Sequence, residues 1–268
     1  MMDRKGEQKM MKKRKEIIFV ILVMVTVVLA GCGSENKISG NYGSGNKISG
    51  NCGDDIKWEL DQETKTLYLK GKGATWDFMT AEEYHERMGD AGKDYEETGY
   101  SERPEWITYA EEIENIVIKD GITELGAGVF ADLPNLKNVD FGNTVEGISG
   151  NAFKNTGLEE ITLPENVSWI AYCSFVNNHN LKKVILEGGN ELLGNEIFRG
   201  CENLEEVFFM AKDYELEEDT AEEYWFFEES PQEICNENVV FYVYENTFFH
   251  EIAEFHAEKY GIRYEFIQ

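Results

Sequence analysis

Five apolar columns run in register through Ile113–Phe209 and limit the folds open to this chain of 268 residues. One column is Ile113, Leu136, Leu158, Leu181 and Leu204. Three residues on come Ile116, Val139, Ile161, Val184 and Val207, and two further on Ile118, Phe141, Leu163, Leu186 and Phe209. Leu125, Ile148, Ile170 and Leu193 make a fourth column; Phe130, Phe153, Phe175 and Phe198 make a fifth. The period alternates between 22 and 23 residues, too short for a domain and too regular for a loop.

In Leu136–Phe141, Val139 and Phe141 lie two apart, so on an extended strand they face the same way. The chain then turns at Gly142-Asn143, and Ile148 and Phe153 return inward from the far side of the coil. One unit cannot close a core; stacked units can, each covering its neighbour's apolar edge. A period in the twenties with L-x-x-L-x-L spacing marks a leucine-rich repeat. The expected fold is mainly β: a solenoid of 22–23-residue repeats with one short parallel strand per coil. An N-terminal β-hairpin cap and a small α/β C-terminal cap are expected to close it.

The run Ile118–Gly126 with Val129-Phe130 and Leu136-x-x-Val139 resembles the BspA-like leucine-rich repeats of bacterial surface lipoproteins. So does Phe198-Arg199-Gly200-Cys201-Glu202-Asn203-Leu204, which is similar to that family's phenylalanine-x-glycine-cysteine turn. Cys52–Leu60 and Gly71–Ala74 resemble the short β-module that often precedes those repeats. The resemblance implies adhesion or interaction at the cell surface, without naming a ligand.

Acidic residues outnumber basic ones, 52 to 25. The surface therefore repels nucleic acid and anionic headgroups. Residues 1–31 read as an export signal: Lys12, Lys13, Arg14 and Lys15 precede an apolar run from Ile17 to Leu29, too short for an ordinary spanning helix. Leu29-Ala30-Gly31-Cys32 then resembles a lipobox, with cleavage after Gly31 and lipid on Cys32. The start codon is Met1, Met10 or Met11. The protein is expected to be exported and lipid-anchored to the outer face of a bacterial membrane, its membrane partner being that lipid.

The Gly-, Ser- and Asn-rich segment 32–51 reads as a flexible tether. Residues 52–79 read as a hairpin module, 80–110 as an acidic insertion and lead-in, 111–210 as the repeats. Residues 211–238 form an acidic and aromatic insertion, with nine Asp/Glu in 211–230. Thr80-Ala81-Glu82-Glu83 and Thr220-Ala221-Glu222-Glu223 are capping boxes. Residues 239–268 read as the C-terminal cap: a strand Val239–Tyr244, a helix Thr247–Tyr260 with Gly261 as its C-cap, and a closing segment.

No catalytic set emerges. His250-Glu251-Ile252-Ala253-Glu254 lacks the second histidine of a zinc motif, and His250 and His256 read as surface helix residues. No C-x-x-C exists; Cys173 and Cys201 read as packed free thiols. Cys173 with His179 lacks a supporting base, and the acidic clusters lack the order of a calcium loop. No cofactor and no metal are expected, weak calcium binding at 213–229 aside.

What remains is surface. The outward strand positions form one row, Val117, Asp140, Thr162, Ile185 and Phe208, and a second, Asn115, Asn138, Glu160, Lys183 and Glu206. Ile185 and Phe208 are apolar where solvent is expected, and such patches mark interaction sites. Either they bind a ligand with Tyr224 and Trp225 beside them, or the helix at 220–227 folds over them. The expected function is non-enzymatic binding of an extracellular protein or glycan. The alternatives are a structural envelope lipoprotein without a specific ligand, or an unrecognised hydrolase.

Overall fold

The computed structural model describes residues 47–79, 103–188, 192–194, 196–212 and 238–268. Strands β1 (Lys47–Gly53), β2 (Asp55–Asp61) and β3 (Thr66–Ala74) form an antiparallel unit. The main strands of successive coils are β4 (Asn115–Ile118), β6 (Asn138–Asp140), β8 (Glu160–Leu163), β10 (Lys183–Leu186) and β12 (Glu206–Phe209). Between them lie β5 (Ile122–Leu125), β7 (Gly147–Ile148), β9 (Trp169–Ile170) and β11 (Leu192–Leu193). After them come β13 (Val240–Val243), helix α1 (Phe248–Tyr260) and β14 (Arg263–Phe266).

The expected hairpin is a three-stranded sheet. Its first strand, β1, takes in Lys47–Asn51, which the composition had assigned to the tether. Tertiary pairing overrides weak local propensity here. Cys52 is fully buried, Ile48 packs on the core, and Lys47 Nζ reaches Glu59 at 3.0 Å. The unit's last strand continues into the repeats: β3 pairs in parallel with β4, Leu67 facing Ile116 and Leu69 facing Ile118.

The four coils from β4 to β11 each supply two strands, not the one expected. The second set pairs in parallel from β3 through β5, β7 and β9 to β11, with Gly147 opposite Trp169 and Ile148 opposite Ile170. Gly147 fits because a Cβ there would lie 2.0 Å from the Trp169 indole.

The main strands keep register one coil apart, as in Val184 opposite Val207 and Ile161 opposite Val184. The ladder is interrupted once. β6 pairs with β4 and β8 with β10, but β6 and β8 are not paired. Two sequence features account for this. The unit Leu136–Gly157 is one residue shorter than the next, because Phe153 is followed by five residues to Leu158 where Phe130 has six to Leu136. Lys119, Glu187 and Met210 donate to Leu69, Leu163 and Leu186 at 2.8–3.0 Å; the equivalent residue beyond β8 is Pro164, which has no N–H. A column of charges breaks at the same place. Lys65 and Lys137 hold the Glu114 carboxylate at 2.5 and 2.7 Å, and Lys182 holds Glu159 at 2.9 Å. No ion pair joins Lys137 to Glu159 among the described residues.

Across the coil from the main strands, the phenylalanine column forms an aromatic stack. Ring centroids are 5.3 Å apart for Phe130–Phe153, 5.2 Å for Phe153–Phe175 and 5.9 Å for Phe175–Phe198, and all four side chains are buried. Trp106, in the short 3-10 turn Glu105–Tyr109, extends the stack to Trp58 of β2. Left-handed residues bracket each ring: Gly128, Asn151, Cys173 and Glu196 two before it, Asp132, Asn155, Asn177 and Gly200 two after. That turn lets the chain double back while its amides bond the next coil, as Phe153 N to Ser174 O and Phe175 N to Ile197 O.

Asn178 fills the space left by the short turn. It is fully buried, in the column otherwise held by Leu133 and Cys201. Its oxygen accepts from Thr156 N at 2.7 Å and Thr156 Oγ1 at 2.6 Å, and its amide donates to Phe153 O and Phe175 O at 2.9 and 2.8 Å. Both donors and both lone pairs are used, the condition for burying an amide without loss.

At the C-terminal end, β13 pairs with β12, and β14 with β13. Thr247 caps α1 by accepting from His250 N, and Gly261 ends it in the left-handed conformation at φ 74°. The buried stripe is Phe249, Ile252, Ala253 and His256, with Phe248 also buried. Helical spacing in the sequence puts Phe248, Ile252 and Phe255 on one face; the buried stripe is rotated from that face by about one residue, Phe255 being half-buried. His256 is therefore not a surface residue. Its Nδ1 lies 2.8 Å from Ile252 O, and burial lowers its pKa to about 4.

Candidate functional site

Of the outward rows predicted from the repeat, Val117, Asp140, Asn115 and Asn138 lie on β4 and β6, and the rest lie on the separate sheet of β8, β10, β12, β13 and β14. Thr162, Ile185, Phe208, Tyr242 and Glu265 are register partners across it. Alternation along each strand puts Val184, Leu186, Val207 and Phe209 into the core and leaves Ile185 and Phe208 half-buried on the other side.

Tyr242 is the residue that repeat arithmetic missed. It follows Phe208 by 34 residues rather than 23, because the chain between β12 and β13 is longer than a coil. The two rings stack with centroids 4.2 Å apart and planes within 5°. Lys183, on the neighbouring β10, sets its Nζ 4.6 Å above the Phe208 ring and 3.6 Å from Glu206. The Tyr242 hydroxyl points to Glu206 Oε1 at 3.5 Å. Burial, then the charges of Glu206 and Glu265, raise the Tyr242 pKa. The face thus carries a short apolar and aromatic row with carboxylates at its margins.

The other expected site residues, Cys32, Tyr224 and Trp225, lie outside the described residues, as do the segment 220–227, the acidic run 213–229 and both capping boxes.

Two further places on the molecule are polar enough for chemistry. Where β6 and β8 part, Lys137, Gly157, Glu159, Glu160, Lys182 and Lys183 line an open depression of about 430 Å³. Beneath the turn of the next coil, the buried Glu196 carboxylate takes the Tyr172 hydroxyl at 3.0 Å, the Cys173 thiol at 3.4 Å and Arg199. Burial pushes the Cys173 thiol up to about 12, so it is no thiolate nucleophile at neutral pH. Cys52, Cys173 and Cys201 are buried thiols outside any disulfide. Among the described residues, no three His, Cys, Asp or Glu side chains converge as a metal site would require, and no helix is long and apolar enough to cross a membrane.

Stacked coils of this period, with parallel strands on one side and an aromatic stack on the other, define a leucine-rich-repeat protein. Residues 107–222 match the BspA type leucine rich repeat region in six copies, and that region of the chain belongs to this family. Among solved structures, a leucine-rich repeat protein from Eubacterium ventriosum is similar at 19% identity and TM-score 0.43, over 61% of this chain and 44% of that one. The pneumococcal vaccine antigen PcpA aligns at 21% identity and TM-score 0.43, over 59% of this chain and 36% of its own. A Treponema pallidum leucine rich repeat protein aligns at 15% identity and TM-score 0.41, over 78% and 95%. The chain therefore spans less than half of the first two. No curated protein matches it.

Proposed function

We propose that this protein is a non-enzymatic, lipid-anchored surface protein that binds an extracellular protein or glycan through the outer strand face of its repeats. In this reading the repeats form a continuous solenoid of 22–23-residue coils, with β1–β3 covering one end and β13–α1–β14 the other. The observation that carries it is the placement of Ile185, Phe208 and Tyr242 on the side of the sheet that faces away from the core. Rigid repeat scaffolds present binding residues on such faces. The apolar run, Cys32 and the strongly acidic remainder support export and anchoring through lipid rather than any nucleic-acid role.

Two experiments test this. Cys32→Ser should release the protein from membranes or block its processing; continued partitioning into detergent with labelled palmitate contradicts the anchor. Capture from intact cells and from extracellular protein and glycan pools should be specific for the folded chain. A chain that captures nothing above background would instead be a structural envelope lipoprotein, and turnover of peptides or glycans would make it a hydrolase.

A further inference from the structure

We propose that the partner of the β10–β12–β13 face is a protein segment with apolar side chains flanked by lysine or arginine, and not a glycan. The inference rests on the binding reading above and narrows it to one chemical class.

The first argument is which surfaces the rings leave open. Sugars are recognised by stacking their C–H faces on a flat aromatic face. Phe208 has neither face free: Tyr242 covers the β13 side at 4.2 Å and Lys183 the β10 side at 4.6 Å. Tyr242 has one face covered by Phe208. The row therefore offers ring edges, the second face of Tyr242 and the aliphatic Ile185. Edges carry the positive rim of the ring quadrupole and pack against apolar side chains and other rings. Tyrosine and phenylalanine buried this way are typical anchors of protein contacts.

The second argument is charge. The cations by the face are engaged within the chain: Lys183 with Glu206 and the Phe208 ring, Arg263 with Asn238 O at 3.0 Å, and Lys212 over the Tyr244 ring at 4.5 Å. Glu265 on β14 ends the row beside Tyr242, and Glu160 on β8 lies in the neighbouring row opposite Lys183; neither has an ion pair among the described residues. A partner cation beside either of them meets an uncompensated carboxylate in a chain of net charge −27. An acidic partner is repelled and a neutral saccharide gains nothing. Complementary charge of this kind speeds encounter and selects the partner.

The third is length. Ile185, Phe208 and Tyr242 sit on three adjacent strands, a row of roughly 10 Å at the usual strand spacing of about 4.8 Å. An amphipathic helix places residues i and i+7 about 10.5 Å apart. A short apolar stripe of one helix therefore matches the row, with a basic residue beyond one end reaching Glu265 and another at the opposite end reaching Glu160 in the neighbouring row.

The test uses the full chain in detergent and three probes: a 15-residue amphipathic lysine–leucine peptide, its glutamate–leucine counterpart, and a neutral glucose hexasaccharide. The lysine–leucine peptide should bind, and its Kd should rise at least tenfold for Tyr242→Ser and for Phe208→Ser. Glu160→Gln with Glu265→Gln should weaken it several-fold and flatten its dependence on salt. Melting curves of the Tyr242→Ser chain keep the test valid if Phe208→Ser unfolds. Binding of the hexasaccharide with loss on Tyr242→Ser would overturn the partner class while leaving the site in place. Peptide binding indifferent to Tyr242→Ser and Phe208→Ser would overturn the proposal, since general attraction to an acidic protein would then explain it.

Discussion

Phe153 and Phe175 lie parallel, 2° apart in plane and 5.2 Å between centroids, at the centre of the aromatic stack. They belong to coils whose main strands border the interrupted part of the ladder. The stack, with the β7–β9 pair, therefore joins these coils where the main strands do not. Phe153→Ala should cost about 3–5 kcal/mol, the usual range for a buried phenylalanine. Urea unfolding with an unchanged m-value checks this; a loss under about 1 kcal/mol would mean the stack carries little.

Asn178 should be as sensitive as a core apolar residue despite being polar. Asn178→Leu leaves Thr156 N, Thr156 Oγ1 and Phe153 O without their partner, while Phe175 O keeps the Cys201 thiol at 3.1 Å. Each unsatisfied buried group costs about 1–3 kcal/mol. A net loss of at least ~2 kcal/mol is expected even after the apolar gain, read by the same urea titration. Neutrality would show that other groups or water take over those bonds.

Gly128 has φ +64°, and a Cβ there would lie 1.9 Å from Phe78 O. Gly128→Ala should therefore destabilise by about 1–3 kcal/mol through overpacking and backbone strain together. Asn151→Gly, at the same position one coil on and at φ 58°, should be near neutral or mildly stabilising. Thermal melts of the two variants separate strain from overpacking.

Burial keeps His256 neutral, with a folded pKa of about 4 against a usual value near 6.5. The unfolded chain then binds the proton first as pH falls. Stability from this group is full above pH 6.5 and is lost between pH 6.5 and about 4, on the order of 3 kcal/mol in all. His256→Phe should flatten that part of the stability profile. Loss persisting unchanged in the variant would place its origin in other groups.

The columns were legible because each repeat returns the same side chain to the same place, which is why the buried side chains follow them so closely. Where tertiary context decides, the pattern fell silent. Lys47–Asn51 carries one apolar residue, Ile48, and becomes a strand only because β2 offers an edge. Two-residue strands such as Gly147–Ile148 are shorter than any period can reveal. Trp106 precedes Phe130 by 24 residues, close enough to one period that it could have been read as the head of the stack. Tyr242 could not, since the intervening chain breaks the count. Of the candidate site, Ile185 and Phe208 came from strand alternation alone.

The most direct test of the central claim compares binding and folding in one variant, Ile185→Ser with Phe208→Ser. Melting temperature and capture of the cell-derived ligand are measured on the same samples. Because both side chains face away from the core, the melting temperature should hold within about two degrees while capture falls at least tenfold, as for an interface anchor. A drop of several degrees with undiminished capture by the folded fraction would show that these residues serve packing, and would contradict the account.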